Sequence, residues 1–563
     1  MRLASRSVLL RRSTILSFLA VSMAVIIALS FANCGGSMST SSTTPGGSTP
    51  PPSSPPPSTG TDVVTYHNDN ARTGLNSNET TLTTSNVASA SFGKLFSVAA
   101  DGKIDAEPLY LSGLTVNGAT HNVLFVASEH GTLYAVDADS GASLWQASLI
   151  PSGETTSDAP SGCGQISPEV GITSTPVIDR SSGSHGVIYA VAMSKNGSTY
   201  HQRLHALDVT TGAEQFGGPR EIQATFPGNG DNASGGTVTF DPHQYAERAG
   251  LLLVNGVIYT AWTSHCDIRP YTGWLISYDE KTLAQVSVLN LTPNGNEGAI
   301  WMAGAGPAAD SNGNIFVLDA NGSFDSTLDT NGFPNQGDYG NAFLKISTAA
   351  NKMAVADYFE MFNQAAENGS DADLGSGGVL LLPDLKDNSG KTWHLAVGAG
   401  KDNNMYLVDR DSMGKFNASA NNIHQELQGV LAGGVWSMPA YFNNTIYYGP
   451  VGNNIKAFAI TNAQLGASPA SQTANAFTYP GATPSISANG TSNAILWAME
   501  NTNPAVLHAY DATNLTHELY NSNQASGGRD QIGPGNKFIT PMIVNGKVYV
   551  GTTTGVGVFG LLH

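Results

Sequence analysis

One phrase returns along most of this chain, and it limits the possible fold more than any other feature. Its clearest copy is NVLFVASEHGTLYAVDADSGASLW, from Asn122 to Trp145. Further copies begin at Gly186 (GVIYAVAMSKNG), Gly256 (GVIYTAWTSHCD), Gly313 (GNIFVLDANG), His394 (HLAVGAGKDNNMYLVDRD), Thr445 (TIYYGPVGNNIKAFAI) and Ile495 (ILWAMENTNPAVLHAYDATN). A shorter copy, GKVYVGTTTGVGVFGL, closes the chain from Gly546 to Leu561. Recurrence of a strand–turn–strand unit at blade-like spacing is the mark of a repeat architecture.

Each copy is readable as a physical unit. An apolar strand such as Val187–Val191 is followed by a Gly- or Asn-rich turn. The next strand ends in Ala-x-Asp, as at Asp137 and Asp208, and runs into Ser-Gly or Thr-Gly. There the Asp bonds backbone amides and the Gly takes positive φ. A lone unit cannot bury both of its faces, so the units must stack around an axis. With only 12% charged residues, 63 glycines and no sustained 3.6-residue period, the composition suits short strands and not helices.

The phrase resembles the pyrroloquinoline-quinone (PQQ) repeat, whose core reads roughly VYVGTxDGxLYALDAxTGxxLW. The resemblance spans about Thr65 to His563 and implies a single all-β propeller over residues 62–563. Seven copies plus the incomplete last one predict eight four-stranded blades. Seven is the alternative, because the copies between Ala299 and Phe416 are degenerate. The strand-like segment Phe92–Val98 would supply the missing strand of the last blade, so that the N- and C-terminal strands close the ring.

Ahead of the repeats the sequence reads as export machinery. Arg2, Arg6, Arg11 and Arg12 precede an apolar run from Ile15 to Ala32, which makes residues 1–33 a signal peptide. Phe31-Ala32-Asn33-Cys34-Gly35 resembles a bacterial lipobox, with Cys34 the lipidated residue. Asn33 and Phe31 depart from its usual residues. Residues 34–61 are rich in Ser, Thr, Pro and Gly and read as a solvated tether. The expectation is an exported protein held at the bacterial envelope only by its N-terminal lipid. Cys163 and Cys266 remain as an even pair, which in an exported chain reads as a disulfide, with two unpaired thiols as the other reading. Net charge is −18, and the first 33 residues hold four Arg and no acid. That argues against nucleic acid as a partner.

Two functions stay open at this level, because a propeller by itself fixes neither. The middle of the chain is similar to quinoprotein alcohol dehydrogenases, which hold PQQ and Ca²⁺. By that resemblance Asp267 and Asn321 are the metal ligands and Asp373, in Asp371-Ala372-Asp373, is the catalytic base. Lys401, in a Lys-x-x-x-x-Tyr-x-Val-Asp-Arg motif, contacts the quinone, and Trp436 matches the Trp of a Trp-x-x-Pro motif at the cofactor. The residue types suit the chemistry: hard oxygens for Ca²⁺, a carboxylate base and an ammonium beside developing negative charge. The substrate would be an alcohol or a sugar. The chain departs from that family in having no adjacent Cys pair, Asp267 in place of Glu, Trp301 out of register with the stacking Trp, and no haem-binding Cys-x-x-Cys-His. Asp373 and Asn321 also read as turn residues, and Lys401 as a solvated turn charge. The alternative function is a non-catalytic surface propeller that binds a protein or a glycan.

Overall fold

The computed structural model describes residues 61–562. The signal-peptide and Cys34 readings lie outside those residues. Among the described residues the chain is built almost wholly of antiparallel sheet, and eight sheets have four or five strands each. None of them closes on itself. The first is a simple meander of Leu109–Val116, Ala119–Ala127, Thr132–Asp137 and Ser143–Ser148. The rest follow in chain order, each contributing mostly buried Val, Ile, Leu and Tyr to cores shared with its neighbours.

The repeated Asp does the work its position suggests. Asp137 Oδ1 accepts the N–H groups of Asp139 and Ser140 at 3.1 and 2.8 Å. Asp208 Oδ1 accepts those of Thr210 and Thr211 at 2.9 and 3.1 Å. Gly212, at φ +69°, closes the second of these turns, and a Cβ there would lie 2.6 Å from the Trp145 ring. Trp145 also donates its indole N–H to Val209 O at 3.0 Å. The last aromatic of one repeat therefore docks on the Asp-Val-Thr-Thr-Gly turn of the next, which ties the repeat phrase directly to sheet-on-sheet packing.

The last sheet joins both ends of the repeat region. Phe92–Ala99 pairs antiparallel with Gly555–Leu561, beyond Lys547–Thr552 and Met542–Val544. Its residues also meet the first sheet: Lys547 Nζ reaches Asp139 at 2.7 Å, and Met542, Val544 and Tyr549 share a core with Leu109 and Phe125. The degenerate region forms two sheets, not one. Ile315–Leu318, Phe343–Ser347 and Ala354–Glu360 belong to the first, Leu395–Ala399 and Met405–Asp409 to the second. Lys415–Phe416 crosses back to pair in parallel with Ala354–Glu360.

A strap running from Val63 to Asn76 touches every one of the eight sheets in sequence. Val63 exchanges backbone bonds with Tyr110, and Val64 O accepts from Ile178 N. Asn70 Nδ2 donates to Leu253 O. The carbonyls of Asn70, Ala71, Thr73 and Gly74 accept from Ala309, Leu381, Tyr441 and Ile486 at 2.7–2.9 Å. Asn76 Nδ2 reaches Ile543 O at 3.0 Å. At its centre the guanidinium of Arg72, fully buried, donates to Pro307 O, Thr65 Oγ1, Tyr66 O and Leu251 O.

Candidate functional site

Five side chains singled out in the sequence stand in turns at one end of four neighbouring sheets, Asp373 and Lys401 on the same sheet. Asp267 follows the strand Val257–Ser264, Asn321 follows Ile315–Leu318, and Lys401 follows Leu395–Ala399. Asp373 precedes the short 3₁₀ turn Leu374–Ser376, and Trp436 precedes Ala440–Phe442. The repeat thus delivers all five to one end of their sheets, and all five line one cavity of about 320 Å³. The loops that carry them pack backbone on backbone: a Cβ on Gly400 would lie 2.3 Å from Asp373 O. Only glycine allows that approach.

The polar centre of the cavity is Lys401. Its Nζ donates to Asp371 Oδ1 at 2.7 Å and pairs with Asp373 Oδ1 at 2.6 Å. Asn321 Nδ2 donates to the same Asp371 oxygen at 2.8 Å. Burial opposes the Lys401 charge, but Asp373 and Asp371 outweigh it and hold the ammonium above its ordinary pKa. Asp373 is 1% exposed and caps no helix N–H with its side chain. Its Oδ2 has no hydrogen-bond partner, and neither has Asn321 Oδ1. Burial pushes the Asp373 carboxyl up to about 6, with Lys401 pulling the other way. The turn roles open to Asp373 and the solvated role open to Lys401 are therefore not the ones they fill.

The opposite end carries residues that the sequence reading missed. Arg248 is buried, with Nη1 3.4 Å from Thr173 O and Nη2 unpartnered. Its nearest acid oxygen, Asp105 Oδ1, is 3.9 Å away, too far for a hydrogen bond. Lys537 Nζ donates to Gln165 O at 3.1 Å, and burial and Arg248 together lower its pKa. A chain of edge-to-face rings lines the cavity. Trp301 meets Phe538 at 6.0 Å, Phe538 meets Tyr479 at 6.4 Å, and Tyr479 meets Trp436 at 6.2 Å. Lys401 lies 5.8 Å from the Trp301 centroid and Arg248 5.3 Å from that of Phe538. Trp301, out of register by sequence, lines the cavity all the same. No local motif marks Arg248, Lys537 or Phe538, because they sit in connections between repeats.

His265 completes the wall, with a disulfide beside it. The His265 ring is buried with Nε2 unpartnered, and burial pushes its pKa down to about 4, so it is neutral near pH 7. Cys163 and Cys266 are bonded, with Cα atoms 5.6 Å apart.

The residues fit a planar aromatic polyanion and a hard cation. The cavity has flat aromatic walls, cations at both ends for acidic groups, and unpartnered oxygens on Asn321 and Asp373. Among the described residues no three His, Cys, Asp or Glu side chains form a ready-made metal cluster. A cation would instead use the amide oxygen of Asn321 and the carboxylate of Asp267 from the rim, which leaves Asp373 Oδ2 free.

No family model and no curated protein sequence matches this chain. Solved structures do. The quinohemoprotein alcohol dehydrogenase from Comamonas testosteroni superposes with a TM-score of 0.55 at 13% identity, covering 89% of this chain and 80% of its own. One from Pseudomonas putida HK5 gives 0.54 at 12% identity, with the same coverages. A europium-containing methanol dehydrogenase gives 0.51 at 14% identity, over 90% of this chain and 99% of its own. At such identities the likeness is one of fold, and the chain has the β-propeller fold of the quinoprotein alcohol dehydrogenases.

Proposed function

We propose that this chain is an exported, lipid-anchored quinoprotein dehydrogenase that oxidises an alcohol or a sugar, using PQQ and Ca²⁺ held in the cavity of an eight-bladed propeller. The ring would be closed by the pairing of Phe92–Ala99 with Gly555–Leu561. The observation that carries the reading is the meeting of Asp267, Asn321, Asp373 and Lys401 in one cavity, with buried oxygens on Asn321 and Asp373 that no protein donor satisfies. Buried polar atoms in folded proteins are otherwise nearly always paired. A purely scaffolding propeller has no need of such a cluster, and no observation favours that second reading.

The chemistry follows from the residues. PQQ with Ca²⁺ would supply the two-electron acceptor and the Lewis acid. Asp373 Oδ2 takes the proton of the substrate hydroxyl, and a pKa of about 6 keeps it ionised yet basic near neutral pH. Lys401 holds the Asp373 carboxylate through Oδ1, leaving Oδ2 free, and places an ammonium where negative charge develops on the acceptor. Asn321 and Asp267 would hold the cation. Arg248 and Lys537 would hold acidic groups of the cofactor, and Trp301, Trp436 and Phe538 would exclude water from it. The names of the structural neighbours, alcohol and methanol dehydrogenases, support the substrate class.

Calorimetry of the folded protein with PQQ and Ca²⁺, followed by a dye-linked assay over alcohols and sugars, tests this reading. The expected result is binding of both and turnover that Asp373→Ala abolishes without unfolding the domain. No binding to folded protein would overturn it.

A further inference from the structure

The segment 158–169 forms a closed loop over one wall of the cavity. Its ends are pinned by Ser157 and Val170, which exchange two backbone bonds at 2.9 Å. At its base Asp158 is held by Lys195 and Tyr200. Gln165 and Ile166, from its tip, line the cavity. Few contacts hold that tip down: Ile166 packs beside Met193 and Ala246, Lys537 donates to Gln165 O, and Cys163 is bonded to Cys266.

The other end of that bond lies in a turn of unusual conformation. Cys266 and Asp267 have φ of +54° and +52°. Two consecutive residues other than glycine in the left-handed region stay there only where their surroundings hold them. His265, just before, and Asp267, within the turn, both line the cavity. Ser264 Oγ and Tyr271 OH donate weakly to Asp267 Oδ1, at 3.3 and 3.2 Å. The disulfide is the covalent hold on this turn.

We infer that the Cys163–Cys266 disulfide latches the 158–169 loop as a lid on the cavity and, at its other end, positions Asp267 to face a bound cation. The latch follows from connectivity and lining alone. The positioning role rests on the metal reading of the cavity given above. Groups that orient a metal ligand without touching the metal commonly change affinity 10- to 100-fold when removed, and Cys266 is the direct chain neighbour of Asp267.

Four forms of the otherwise intact protein decide it: the wild type, Cys163→Ser with Cys266→Ser, Asp267→Asn, and all three substitutions together. Terbium(III), a luminescent hard cation, is the probe, and hydrogen exchange of the 158–169 backbone reports the lid. The double serine form is expected to bind terbium roughly 10- to 100-fold more weakly and to exchange faster in 158–169, with the sheets as protected as before. Asp267→Asn should lose a comparable factor while its lid stays protected. The triple form should bind no more weakly than Asp267→Asn, because the disulfide acts through that carboxylate. Unchanged exchange in the double form overturns the latch, and a further full loss in the triple form overturns the positioning. If the serine pair fails to keep its sheets protected, Cys163→Ala with Cys266→Ala replaces it under the same criteria. No terbium binding by the wild type would overturn the metal reading and with it the positioning of Asp267, while the exchange data still judge the lid.

Discussion

The strap and the cavity both bury charged and polar side chains among the same eight sheets, and they treat them in opposite ways. Arg72 in the strap places each of its nitrogens on an oxygen, with bonds of 2.7–3.0 Å to Thr65, Tyr66 and Pro307 and a longer one of 3.5 Å to Leu251. Tyr66 beside it receives a bond from Thr540 Oγ1 at 3.2 Å. In the cavity Arg248 has one long bond and a free Nη2, and Asp373, Asn321, His265 and Asp105 each keep an unpartnered atom. A buried group without a partner costs free energy that a satisfied one does not. The strap is therefore finished by the chain itself, whereas the cavity is finished only by something that binds. One region converts buried polarity into stability, and the other leaves it unpaired, as the proposed cofactor site requires.

The largest expected effect separates them most sharply. Arg72→Ala removes one charged donor group from several carbonyls that water cannot reach, and should cost on the order of 3–5 kcal/mol. Denaturant unfolding measures it. A loss below about 1 kcal/mol, the range of an ordinary surface substitution, would show that the strap is not the internal brace its bonds describe.

Much of this was legible in the sequence, and what was not has physical reasons. The strands and their order follow from the repeat phrase, since the Asp137 and Asp208 turns act through the same side-chain bonds that their residue types suggest. Asp267, Asn321, Asp373, Lys401 and Trp436 could be named only through the resemblance to quinoprotein alcohol dehydrogenases, since they stand in turns outside the repeat phrase. The strap left no signal: it acts through backbone carbonyls such as those of Ala71 and Thr73, whose side chains are free to vary. Arg248, Lys537 and Phe538 were missed because they stand in connectors of no fixed length, and their neighbourhood is set by packing between sheets far apart in the chain. The parallel return of Lys415–Phe416 to the preceding sheet was likewise beyond any local pattern.

A middle-sized effect belongs to Asp373, and its sign is opposite to that of Arg72. The folded protein raises this carboxyl from 3.8 to about 6. The folded form thus binds the proton more tightly than the unfolded chain does. The stability linked to this group is fully present below about pH 4 and is lost as pH rises through about 6. Such a displacement corresponds to on the order of 3 kcal/mol. Asp373→Asn keeps the shape and removes the titration. In the absence of cofactor the variant should match the wild type at pH 4 and exceed it at pH 8 by about 1–3 kcal/mol. Unfolding curves across that range check it; a parallel loss at both pH values would mean that the carboxylate is structural, like the strap.

The smallest expected change in stability is at Arg248, and there the comparison is most exposed. Replacing a buried guanidinium normally costs several kcal/mol because its partners are stranded. Here the partners are few: one carbonyl at 3.4 Å and one carboxylate oxygen at 3.9 Å. The charge itself is expensive to bury, and Phe538, 5.3 Å from the guanidinium, offsets only part of that cost. Arg248→Gln removes the charge and leaves an amide able to reach the same carbonyl. The two effects nearly cancel, so stability without cofactor should move by no more than about 1 kcal/mol. Affinity for PQQ, whose acidic groups would meet this end of the cavity, should fall by about tenfold or more, the equivalent of 1.4 kcal/mol. Thermal unfolding and calorimetry on the same sample separate the two. A stability loss as large as that of Arg72→Ala, with PQQ affinity unchanged, would make Arg248 a second brace and leave the far end of the cavity without a role in binding.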